Sequence, residues 1–244
     1  FAWQRWMPKL LAIVMLLVNV AALVMTYSRG GWIGLVAGGF TFMLLLVWWW
    51  SERLPSKLRP WALPGVVGLS VAIVLLAVAI VPPIRDRVAS IFVGRGDSSN
   101  NFRINVWAAV IDMIRDRPIL GIGPGNSIFN KIYPLYMRPK YSALSSYSVL
   151  LEVTVEAGLI GLFSFLWLLF VTTYQGIMQI KRLREVGHHD AFWLMAALAS
   201  GAGLMAHGLF DTVFYRPAIQ TLWWLMLAIV ASFYTPDRLT LDKA

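Results

Sequence analysis

Residues 32–50 read WIGLVAGGFTFMLLLVWWW, a run without a single charge. A helix rises 1.5 Å per residue, so about 20 such residues cross the ~30 Å hydrocarbon core of a bilayer. Five further stretches qualify or nearly so, at about 10–27, 61–83, 149–178, 192–210 and 218–234. Trp48, Trp49 and Trp50 close the quoted run and Trp61 opens the next, as indoles do at a membrane–water boundary. A β-barrel would show alternating segments of about ten residues, a pattern absent from the chain. The spacing predicts an all-α, polytopic transmembrane helix bundle with six spans. Gly34, Gly38 and Gly39 lie within the quoted run, where small residues let helices approach closely.

The composition of the whole chain agrees. Of 244 residues, 59% are hydrophobic and 14% charged, against about 45–50% and about 25% in soluble domains. Soluble globular, disordered and collagen-like classes are excluded. The chain has no cysteine, which removes disulfides, iron–sulfur clusters, Cys-zinc sites and thiol nucleophiles. Its three histidines share no metal-ligand spacing, so neither a metal nor a cofactor is expected. The net charge of +9 points to topology signals and anionic headgroups, not to nucleic acid. No signal peptide shows, because the first apolar run is too long and further spans follow it. Starting at Phe1, the chain reads as the C-terminal part of a longer protein.

Short-loop charges orient the spans. Arg5 and Lys9, then Arg53, Lys57 and Arg59, then Lys181, Arg182 and Arg184, then Arg238 and Lys243 all fall on one side. The opposite short loops hold Arg29 and Arg216. The positive-inside rule makes the first side cytoplasmic. The chain then divides into three spans over 1–83, a large outer loop over 84–148, and three spans with a cytoplasmic tail over 149–244.

The outer loop carries nine basic and four acidic residues. Asn100 or Asn101 would cap a helix beginning near Phe102 and ending before Pro118. Ile104, Trp107, Ala108, Ile111 and Ile114 recur at helical spacing, which predicts an amphipathic helix on the membrane or closing the bundle. Gly121 to Gly125 suits a tight turn and lacks the spacing of a dinucleotide fingerprint. Arg95-Gly96-Asp97 matches an adhesion tripeptide of a length that recurs by chance.

An ionisable residue at membrane depth costs at least ~2.5–3.5 kcal/mol, so each one there needs a reason. Arg29 sits between the first two spans, as a headgroup-seeking turn residue or an anion contact. Glu152 and Glu156 share a helix face, available to loop arginines. His207 and Asp211 are also four apart, as a packing pair or one that handles a proton or anion. Arg216 follows within reach of Asp211. His188, His189 and Asp190 fall in a solvated loop.

Three segments carry a family resemblance together. They are Tyr27-Ser28-Arg29-Gly30-Gly31; Arg103-x-x-x-Trp107 followed by Arg117-Pro118-Ile-Leu-Gly121-Ile-Gly-Pro-Gly-Asn126; and Glu156-Ala-Gly158-Leu-Ile-Gly161. Their order resembles the C-terminal half of the O-antigen ligase and polymerase superfamily. Ser145 to Ser148, and Ala206-His207 through Asp211 to Arg216-Pro217, are similar to its cyanobacterial IctB-type branch, named for bicarbonate transport.

The resemblance implies a bacterial inner-membrane protein of about a dozen spans, with 84–148 periplasmic and the termini of this chain cytoplasmic. It implies that Arg29 and Arg103 bind the diphosphate of a lipid-linked glycan, or another anion such as bicarbonate. His207, Asp211 and Arg216 join them as candidate substrate-binding residues. Tyr147 stands where the ligases place a histidine thought to assist glycosyl transfer, and with Glu156 it is a candidate catalytic residue. A tyrosine of ordinary pKa near 10 is a poor base at neutral pH.

The branch implies inorganic-carbon accumulation. The wider family implies metal-independent transfer from an undecaprenyl-diphosphate-linked glycan, and a scaffold subunit is the third alternative. Partners are membrane lipid and one of those anionic substrates. Arg29, Arg103 and Tyr147 are expected to converge on one outward crevice with Glu156 beneath them.

Overall fold

The computed structural model describes residues 6–92, 96 and 98–234. Arg5, Arg238 and Lys243 from the topology reading, and Arg95 and Asp97 of the tripeptide, lie outside the described residues. The helices are α1 Trp6–Met25, α2 Arg29–Trp50, α3 Arg59–Ile80, α4 Pro82–Phe92, α5 Ser98–Asp116, α6 Asn126–Ile132, α7 Val149–Glu185, α8 Ala191–Gly208 and α9 Pro217–Ser232. No strand occurs among the described residues.

Five of these, α1, α2, α3, α7 and α8, are long and apolar enough to cross a membrane. The stretch read as a sixth span forms α9, which has 16 residues. That is about 24 Å of helix, short of a typical core. Its length is set by Pro217, which can start a helix but not continue one.

The tightest contact in the bundle joins α2 to α8. Gly30, Gly34 and Gly38 recur every four residues and face Ala199, Gly203 and His207, which do the same. A Cβ on Gly34 would stand 2.8 Å from the Gly203 carbonyl oxygen, and one on Gly38 3.0 Å from that of Ala199. Backbone meets backbone there, as small residues permit. Gly39 has nothing within 4 Å of its Cβ position, so of the three glycines read as packing residues only Gly34 and Gly38 have that role.

At the far end of α2, Arg184 ties α7 to it. Its Nη2 lies 3.3 Å from Glu52 Oε1 and donates to Ser51 Oγ, while its guanidinium covers the Trp48 ring. Lys181, Arg182 and Arg184, read as loop residues, belong to the last turns of α7. Lysine and arginine are good helix formers, and the span continues through them.

The fourth apolar stretch is not one continuous span. Gly158 has φ 66° and ψ −167°, which breaks α7 into a short piece that starts at Val149 and a longer one that ends at Glu185. The break frees backbone groups, and the loop after α5 satisfies them. Ile122 N–H donates to the Val155 carbonyl (2.8 Å), Gly123 N–H to that of Glu156 (3.0 Å), and Leu159 N–H to that of Pro118 (2.8 Å). Burial makes such pairing obligatory. A side chain on Gly158 would strike the Ile119 carbonyl, and one on Gly121 that of Glu156.

Helix α5 begins one turn before the expected start. Asn100 and Asn101 lie inside it instead of capping it, because Asn101 finds partners there: its Nδ2 donates to the Tyr141 hydroxyl and its carbonyls accept from Asn105. The buried face is Val106, Ala109, Val110 and Met113, packed on Phe129, Tyr133 and Val155 in a core of its own. Of the stripe singled out from spacing, Ile114 packs against this same core, whereas Trp107 and Ile111 lie off it. Trp107 meets Phe210 beyond α8, with ring centroids 6.4 Å apart, and Ile111 is exposed. Both faces are apolar, so periodicity alone could not say which one meets the core.

Candidate functional site

Ser28 caps α2 by accepting from Gly31 N–H (3.2 Å), which sets Arg29 as its first helical residue. Gly30 follows directly under His207: a Cβ there would lie 2.8 Å from the His207 ring. His207 Nε2 stands 3.5 Å from Asp211 Oδ2, at the outer limit of hydrogen bonding, and is enclosed with no shorter partner. From α5, Arg103 Nε donates to the Phe210 carbonyl (3.0 Å) and its Nη1 to Ser99 Oγ (2.8 Å). The N-terminal end of α2, the C-terminal end of α8 and the second turn of α5 thus meet around Asp211.

The His207 ring, then the Thr212 backbone N–H (2.8 Å), then the charges of His207 and Arg103, hold the Asp211 carboxyl below its usual range although burial opposes them. Arg103 is the guanidinium that acts on Asp211. Arg216, expected to pair with it, is exposed at the start of α9 and makes no ion pair with it. The polypeptide turns away from α8 between the two residues, so helical spacing does not carry across.

Thr212 divides this cationic flank from a second one. Its hydroxyl meets Ser145 Oγ (2.8 Å) and accepts from Tyr147 N–H (3.0 Å). Those contacts hold Tyr147 at φ 53° just before α7. The Tyr147 ring turns into the α5 core, edge-on to Phe102 with centroids 5.3 Å apart and beside Tyr133.

On the other side of Thr212, the hydroxyls of Thr212 and Ser146 lie beside the Glu152 carboxylate. Glu152 and Glu156 border a crevice of about 440 Å³ between α7, α9 and the glycine loop. Neither makes an ion pair with a loop arginine among the described residues. Instead the Gly125 backbone approaches Glu156. Asn126 donates to the Tyr215 hydroxyl (2.9 Å), and both residues line the crevice with Gln220, Trp223 and Trp224.

The structure therefore brings Arg29, Arg103, His207 and Asp211 to one flank and sets Glu156 in an adjoining crevice. Tyr147 lies behind the wall between them and Arg216 outside both. Asn126, Thr212, Tyr215 and Gln220 belong to these surfaces without having been singled out by sequence reading. Asn126 ends the glycine motif and Thr212 follows Asp211, which were the available signals; Gln220 had none. Among the described residues, no group of three histidine or acidic side chains is placed to hold a metal ion.

The O-antigen ligase family model matches residues 10–166, more than half of the chain. The matched stretch includes Arg29, Arg103, the glycine loop and the Gly158 break, and ends before His207. No curated protein matches the chain.

Proposed function

The chain belongs to the O-antigen ligase family, and from that premise we propose that it transfers a glycan from a polyprenyl-diphosphate carrier to an acceptor hydroxyl at the outer face of the bacterial inner membrane. The observation that carries this reading is the meeting of Arg103 and the Arg29 end of α2 around His207 and Asp211. In such a transfer the acceptor oxygen attacks the anomeric carbon and the bond to the diphosphate oxygen breaks. Negative charge grows on the leaving diphosphate. Arginine forks and the N-terminus of α2 are suited to offset it.

The acceptor proton needs a base. The Tyr147 ring packs into the α5 core, whereas Glu156 borders the crevice. We assign the proton-accepting role to Glu156. In the same reading α9 completes six spans, 84–148 is periplasmic and the termini of this chain are cytoplasmic.

Bicarbonate is also an anion, and the likeness of 145–148 and 206–217 to the IctB-type branch implies it. No feature of the site calls for it over a diphosphate. The full-length protein in liposomes, given a polyprenyl-diphosphate oligosaccharide and separately bicarbonate, tests the choice. Glycan release from the carrier is expected, lost at least 100-fold in Arg103→Ala and partly restored in Arg103→Lys, which lacks the planar fork. Bicarbonate flux dependent on Arg103, with the carrier untouched, would overturn the proposal.

A further inference from the structure

The crevice beside the arginine flank has the opposite electrostatic character. Glu152 and Glu156 border it, and no lysine, arginine or histidine does. Its size falls in the ~300–1,000 Å³ range of small-molecule sites. A phosphate or a uronate entering it would meet two carboxylates and no cation. A sugar hydroxyl would meet carboxylate acceptors on both glutamates, which border the crevice. Asn126 and Gln220 add amide groups that both donate and accept. Trp224, exposed on α9, adds a flat apolar face of the kind that takes the C–H face of a pyranose ring, while Trp223 is buried against Phe165 and Phe214 at the back of the crevice. Two carboxylates, two amides and one exposed indole along a half-open crevice make a surface for a hydroxyl-rich ligand that carries no negative charge.

We propose that this crevice is a saccharide-binding site selective for uncharged or amino-bearing sugars and against anionic ones. The further statement that this sugar is the acceptor rests on the transfer reading above. The two flanks meet at Asp211-Thr212: Asp211 faces His207 and Arg103, and Thr212 faces Glu152. A donor diphosphate held by the arginines is thus kept apart from the carboxylates by one dipeptide, and the acceptor hydroxyl lies on the carboxylate side.

The test is direct binding to the full-length protein in lipid nanodiscs, with no donor present, read by calorimetry and tryptophan fluorescence. The probes are three trisaccharides: N-acetylglucosamine trimer (uncharged), glucosamine trimer at pH 6 (cationic) and trigalacturonate (anionic). The first two are expected to bind at least 10-fold more tightly than the third. Glu152→Gln and Glu156→Gln, both isosteric, should each narrow that gap. Trp224→Ala, at an exposed position, should weaken all three. Equal binding of trigalacturonate and the uncharged trimer, unchanged ratios in the glutamine variants, or no binding of any probe would overturn the proposal.

Donor consumption in the same preparation separates the two claims. Arg103-dependent release of the glycan without selective trisaccharide binding defeats the crevice proposal alone. Selective binding without any donor consumption defeats the transfer reading alone.

Discussion

At the residue scale, the chemistry turns on which carboxylate or phenol faces which surface. Tyr147 occupies the position where the resemblance expects a base, yet its ring is an edge-on neighbour of Phe102 and its backbone N–H is what Thr212 holds. Tyr147→Phe keeps the ring and removes the hydroxyl, so it should leave transfer within about threefold of the parent. Glu156→Gln keeps the volume and removes the base, and removing a general base typically costs 10²–10⁴-fold. Measuring both turnover numbers side by side decides the assignment; equal losses would reverse it. Glu152 and Glu156 were legible as a pair from their spacing. Their crevice was not, because Gln220, Trp223 and Trp224 arrive on α9, far along the chain.

Asp211 gives a pH prediction. Its folded-state pKa lies below the ordinary carboxylate value, so its contribution to stability is complete above the unfolded value of about 3.9. That contribution is lost as pH falls through the lowered folded value. Thermal melts in detergent should therefore show a loss below about pH 4 that shrinks in Asp211→Asn. An unchanged acid limb in that variant would show that Asp211 is not held by His207 and Arg103.

At the element scale, two contacts of very different legibility position the site. The α2–α8 seam was readable in part: Gly34 and Gly38 in an uncharged run signal close packing. The partner Gly203 lies far along the chain, and nothing local separates Gly38 from Gly39. Gly34→Ala should cost ~1–3 kcal/mol, the usual range for overpacking, because the added methyl meets a backbone carbonyl that cannot rotate away. Gly39→Ala enters open space and should be neutral or stabilising by up to ~1 kcal/mol through helix propensity. Melting temperatures of the two variants in one detergent check the contrast, and equal shifts would show that the α2–α8 seam does not depend on the close approach at Gly34.

The break at Gly158 was not legible. It sits inside an apolar helical run, and its cause is the docking of Ile119 to Gly123, a contact between distant segments. That break turns the piece bearing Glu152 and Glu156 off the axis of the spanning part of α7. The sequence pattern likewise could not choose the core face of α5, since Val106 and Ile111 are equally apolar and only tertiary packing distinguishes them.

At the scale of the whole molecule, helix α2 runs between the two chemical ends of the bundle. One end holds Arg29, His207, Asp211 and Arg103. The other holds Trp48 to Glu52 clamped by Arg184, whose side chain is 10% exposed. Uncharged length made α1, α2, α3, α7 and α8 readable as membrane helices, since a bilayer imposes one length on all of them. The orientation assigned here predicts that a reporter fused after Lys140 is exported and one fused after Arg184 stays in the cytoplasm. The reverse pattern would place the arginine flank on the wrong side for an exported acceptor.

In the proposed function this bundle moves a glycan from a diphosphate carrier with Arg103 at the leaving group. Mass spectrometry of a reaction containing the full-length protein, a polyprenyl-diphosphate oligosaccharide and an uncharged trisaccharide acceptor measures it directly. The predicted result is an acceptor heavier by one glycan, with free polyprenyl diphosphate, and neither product from Arg103→Ala. An intact donor with the parent protein, or equal product from Arg103→Ala, would contradict it.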